Sequence, residues 1–128
     1  MQFHAPSVSI SAEGDYFQLF LGPSALEEDE TDQYEVKGPY LLVQRQFETP
    51  DGGRCYIEAL NEEFIGHFLL RLTELSRTHL AFEIARKSHT QVDISFELNA
   101  AEFEEVRGVA EVIFGLREPE YGDDDKAH

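Results

Sequence analysis

The chain has 128 residues, 41% of them hydrophobic, with ten Phe and five Tyr; it is long enough to bury one core unaided and too apolar for a disordered protein. Its 26 acidic side chains face ten basic ones, a formal charge of -16. That field repels phosphate backbones and anionic lipid, which argues against nucleic acid and membrane partners and favours a basic protein.

Cys55 is the only cysteine, so no intrachain disulfide can form. The opening MQFHAPSVSI lacks a basic region followed by a continuous apolar run, so no signal peptide is expected. No apolar run approaches the roughly 20 residues that span a bilayer, and the cytoplasm is the expected location.

Residues 3–10 and 15–21 read as two strands joined by SAEG, with Gly14 suited to a tight turn. In DYFQLFLG both alternating sets are largely apolar, which predicts a central strand or one covered on both sides. From Gly22 to Gly38 the pattern stops. Glu27, Glu28, Asp29, Glu30 and Asp32 crowd this stretch, no Lys or Arg precedes Lys37, and the segment is expected to be an acidic loop.

A strand over residues 40–47 follows, then TPDGG as a turn, then a strand over residues 54–60. Leu41, Val43 and Phe47 share a face with Arg45, and a charge on an apolar face needs a partner. With Asp51 and Gly52 at the centre of the turn, Arg45 falls opposite Glu58; with a loop two residues longer or shorter, Glu58 is its diagonal neighbour. The expectation is an Arg45–Glu58 pair, either a register-fixing ion pair or one wall of a ligand pocket.

After the connector NEEFIGH, where Gly66 should interrupt regular structure, three runs alternate with period two. They are FLLRLTEL, HLAFEIA and VDISFEL. Then Phe103, Val106, Ala110 and Ile113, widened by Val109, mark an amphipathic helix over residues 99–114. Asn99 with Glu102 has the spacing of a capping box, and Gly115 is placed as a left-handed stop.

The short connections suit hairpins, so the expected fold is α+β: one mostly antiparallel sheet of six or seven strands with the C-terminal helix packed on one face. Residues 1–115 form a single domain in this reading. Residues 116–128 form an acidic, disordered tail. The expected core runs from Leu70 and Leu72 through Leu80, Phe82, Ile84, Val92, Ile94 and Phe96 to Phe103, Val106, Ala110 and Ile113.

The chain carries no pattern that compels a reaction. None of the five histidines is spaced four apart from another on a helix, so no metal and no cofactor are expected. Cys55 beside His67 or His79 could make a nucleophile pair, but a strand cysteine next to Ile57 reads as a small buried hydrophobe. Glu58, Glu62 and Glu63 could supply a carboxylate pair, yet among 26 acids any pairing is cheap. No glycine loop has phosphate-binding spacing. No catalytic residue is assigned, and an enzyme is not expected.

The run YLLVQRQFE, then DGGRCYIEALNEEFIGHF, then alternating strands and NAAEFEEVRGVAEVIFG resembles the immunity protein 10 family of bacterial polymorphic toxin systems. The resemblance covers residues 39–115 and is carried by Gln44-Arg45, by Tyr56-Ile57-Glu58 and by the order strand, strand, strand, helix. It differs in the short Ile65-Gly66-His67 connector and in the acidic segment before Pro39. The resemblance implies a cytoplasmic, non-catalytic inhibitor that binds and neutralises a cognate toxin. The acidic residues Glu27, Glu28, Asp29, Glu30 and Asp32 would contact such a basic partner. The alternative is a small-ligand-binding or accessory domain with its pocket around Arg45 and Glu58.

Overall fold

A computed structural model describes residues 1–23, 38–47 and 52–116. The fold is α+β, with two sheets in place of the expected single one. Strands β2 (Ser7–Glu13), β3 (Tyr16–Gly22), β4 (Leu41–Gln46), β5 (Cys55–Ala59) and β6 (Gly66–Phe68) form a five-stranded antiparallel sheet in sequential order. The other sheet runs β1–β9–β8–β7, from β1 (Gln2–His4), β9 (Gln91–Ser95), β8 (His79–Ile84) and β7 (Leu70–Leu75). Its β1–β9 pair is parallel; the others are antiparallel. Nine strands and one α-helix, α1 (Ala100–Ile113), are thus present among the described residues.

The larger strand count arises because two expected strands each divide between the sheets. The first run breaks at Ala5-Pro6: Ala5 still donates its N–H to Ser95 O at 2.7 Å, whereas Pro6 has no N–H to give, and the chain moves to the other sheet. The second divides at Leu69, between β6 and β7, and Leu69 is 44% exposed. Gly66 does not interrupt the chain there; it pairs with Ile57 and opens β6.

Both sheets and α1 close on one apolar cluster. Leu19, Leu21, Leu41, Val43 and Ile57 come from the five-stranded sheet, Leu80, Phe82, Ile84, Val92 and Ile94 from the other. The helix packs on β2, β3 and β4 through Val106, Val109, Ala110, Val112 and Ile113. Its start is the expected capping box, with Asn99 and Glu102 each accepting the other's backbone N–H at 2.8 and 2.9 Å. Gly115 ends it at φ 80°. Phe103, expected in the core, is only half-buried; it lies in the first turn, beside an open groove lined by Leu75, Arg77, Thr78 and Leu98. Leu70 and Leu72 are also half-buried against the core's margin.

Residues 24–37, with Glu27, Glu28, Asp29, Glu30 and Asp32, and the tail 117–128 lie outside the described residues. No described helix is long and apolar enough to cross a membrane.

Candidate functional site

Strand alternation gives the five-stranded sheet two unlike faces. The inner face is the apolar one beneath α1. The outer face carries Tyr16, Gln18 and Phe20 of β3, Leu42, Gln44 and Gln46 of β4, Tyr56 and Glu58 of β5, and His67 of β6. Tyr40, just ahead of β4, stacks on Phe20 with ring centroids 5.9 Å apart and planes 23° apart. Gly22 makes this stacking possible, because a Cβ there would stand 2.8 Å from Tyr40 Cβ and 3.2 Å from Phe20 Cζ.

The polar groups of this face bond to one another. Tyr16 Oη donates to Gln18 Oε1 at 2.8 Å, and Gln44 Nε2 donates to the same oxygen at 2.9 Å. Glu58 is held from both sides: Tyr40 Oη donates to Oε2 and Tyr56 Oη to Oε1, each at 3.0 Å. Burial first, then the Glu58 hydrogen bond and charge, pushes the Tyr40 phenol up to about 12. The same carboxylate, with burial second, raises Tyr56. Both phenols therefore remain protonated donors at neutral pH. The Tyr56 and His67 rings lie 5.1 Å apart, and beside them Tyr16, Gln44, Gln46 and Arg54 complete a recess of about 310 Å³.

The expected Arg45–Glu58 pair does not form. Glu58 pairs across the strands with Leu42 rather than Arg45, a slip of three positions (45 to 42), and an odd slip sends the two side chains to opposite faces. At the β5 end of the connection Gly52 and Gly53 are both left-handed, at φ 76° and 83°. Arg45 points inward. Its Nη1 donates to Ile113 O at 3.1 Å and its guanidinium lies 4.6 Å over the Phe47 ring, so it serves the C-terminal end of α1.

Cys55 is buried on the inner face, where its thiol donates to Ile113 O at 3.5 Å. His67 lies on the outer face, so the two make no nucleophile pair. Among the described residues no group of three or more His, Cys, Asp or Glu is placed to hold a metal. The acidic residues Glu27, Glu28, Asp29, Glu30 and Asp32 lie outside the described residues, but the ends of their segment do not. Pro23 follows β3 and Gly38 precedes Tyr40, both beside the Phe20–Tyr40 stack.

The sequence signal for this face was its aromatic residues. Tyr16 and Phe20 form the second apolar set of β3, which by pattern reads as a covered face. A scan against protein-family models and a search of curated proteins each return no match to this chain.

Proposed function

We propose that this chain is a non-catalytic binding protein that docks a basic protein partner on the tyrosine-bearing face of its five-stranded sheet. In the manner of the immunity proteins it resembles, it would neutralise a toxin by doing so. The observation that carries the reading is the composition of the face. Tyr16, Phe20, Tyr40 and Tyr56 stand half-exposed among glutamines, in a chain whose charge is otherwise high. Partner-binding surfaces concentrate aromatic residues in this way.

Size fits a composite interface. At about 4.8 Å between strands and 3.4 Å per residue, five strands of up to seven residues present about 450 Å² of flat face. A stable interface takes about 800 Å² per partner. The acidic segment 24–37, entering and leaving beside Tyr40, is the natural source of the remainder, and it attracts a cationic partner.

The test is co-expression with the protein encoded immediately upstream. The expected outcome is restored growth and a stable complex, with Tyr40→Ala plus Tyr56→Ala weakening that complex at least about tenfold without loss of fold. Undiminished affinity in the double variant would remove this face from the interface. The recess beside Tyr56 favours a second reading, a small polar ligand, since about 300 Å³ is the lower end of ligand pockets. A metabolite that stabilises the protein and loses its effect in Gln44→Ala would support that reading instead.

A further inference from the structure

We propose that Glu58, Tyr40 and Tyr56 form a seat for one cationic side chain of the partner, a guanidinium or an ammonium group. The proposal rests on the docking reading above and names the chemistry of its centre. Glu58 is a half-buried carboxylate on a sheet face, and a charge so placed calls for a counter-charge. Among the described residues no Lys, Arg or His forms a salt bridge with it. Two neutral phenols fix its position, one on each oxygen, and bring no positive charge.

The arrangement has further capacity for one kind of ligand only. An ionised carboxylate has about four acceptor positions, and the tyrosines occupy two of them. Each phenol spends its only proton on Glu58, so its own oxygen is left as an acceptor. The cluster thus offers acceptors and one negative charge but no donor, which suits N–H groups of a cation and repels an anion. Aromatic rings carry negative π-faces and add attraction for the same group. A divalent metal is poorly served, because hard cations need several more oxygen ligands and Glu58 is the only carboxylate of the cluster. The phenol hydrogen bonds also restrict the carboxylate before the ligand arrives, so less ordering is left for the binding step.

The test uses small probes on the intact chain, with no toxin present. N-acetyl-arginine methylamide and N-acetyl-lysine methylamide are titrated against the protein at low salt, with N-acetyl-norleucine methylamide as the neutral control, and the tyrosine ring resonances are followed by NMR. The expected result is a saturable shift of the Tyr40 and Tyr56 signals with the cationic probes alone. Glu58→Gln, which keeps an acceptor and loses the charge, should weaken binding at least about tenfold. If that variant fails to fold, the titration of the unaltered chain repeated at about 1 M salt serves in its place, since salt screens the carboxylate and should weaken binding by a similar factor. Equal shifts with the neutral probe, or binding unchanged in Glu58→Gln, would overturn the proposal. A partner that still needs Tyr40 and Tyr56 when the cationic probes fail would overturn the seat and leave the docking face standing. Probe binding at Glu58, together with a complex indifferent to both tyrosines, would do the reverse.

Discussion

Tyr40 retains its proton where an unfolded tyrosine would lose it. The folded phenol titrates near 12 and the unfolded one near 10, so between those values the unfolded chain has released a proton that the folded chain still binds. Stability from this group is therefore complete below about pH 10 and is lost as pH rises toward about 12. Solvent screening at this partly open site reduces the size of the effect. Tyr40→Phe should flatten the alkaline decline in stability and remove one late-ionising phenol from an absorbance titration. A wild-type titration in which every phenol ionises near 10 would show the Tyr40–Glu58 bond to be absent in solution. Arg45 makes a different contribution. The last turn of α1 holds no basic residue, and Arg45 supplies that charge from β4. Arg45→Met should cost about 1.5–3 kcal/mol in urea unfolding, the range for hydrogen bonds to charged groups. Because Arg45 and Glu58 share no partner, a double-substitution cycle on them should be additive within about 0.5 kcal/mol.

At the level of elements, two phenylalanines separate core from margin. Phe96 is 2% exposed, and Phe96→Ala should cost about 3–5 kcal/mol. Phe103 is half-buried beside an open groove and under the Arg107 guanidinium, so Phe103→Ala should cost about 1 kcal/mol. Equal losses at the two positions would place the first turn of α1 within the core. The helix was legible in the sequence because its signals are local: the Asn99–Glu102 box, the three-to-four spacing and Gly115. The hairpins of β7, β8 and β9 were legible for the same reason. The crossing at Leu69 was not, because alternation continues from Phe68 to Leu70 and Leu72, whereas the crossing at Ala5-Pro6 does leave a sign: Pro6 interrupts the run and the apolar positions change parity from Phe3 and Ala5 to Val8 and Ile10. The β4–β5 register was hidden in a glycine-containing loop whose length decides which face each side chain takes, so Glu58 was given the wrong neighbour. Tyr16 and Phe20 were visible too, but an aromatic face suggests burial as readily as binding.

For the molecule as a whole, charge and topology set the behaviour. A formal charge of -16 gives a field that steers a cationic partner and weakens as salt shortens its reach to about 10 Å at 0.1 M. Replacing Glu27, Glu28, Asp29, Glu30 and Asp32 with Ser or Asn should leave folding intact and slow association with the proposed basic partner at least about tenfold at low salt. An unchanged, salt-insensitive rate would leave the sheet face to account for recognition alone. The two sheets are further held by a contact between the β5–β6 connection and the β8–β9 turn. There Glu63 meets His89 at 2.8 Å and the Arg86 guanidinium lies 5.1 Å over Phe64 and 4.8 Å over Phe68. With one shared core and this clasp, unfolding is expected to follow a single transition by every probe.

The parallel pairing of β1 with β9 has a consequence for the order in which the protein is made. All five strands of the larger sheet lie within residues 7–68 and join their neighbours in sequence, so that sheet can assemble while the chain is still leaving the ribosome. The smaller sheet cannot, since β1 is translated before the larger sheet and its partner β9 after it. Until α1 emerges, the inner face of β2, β3 and β4 has no helix to cover it, and the first residues wait for a strand about ninety positions away (Gln2 to Asp93). In pulsed hydrogen exchange during refolding, amides of β3 and β4 should gain protection ahead of those in β1 and β9. Simultaneous protection would mean that the smaller sheet closes as early as its neighbour.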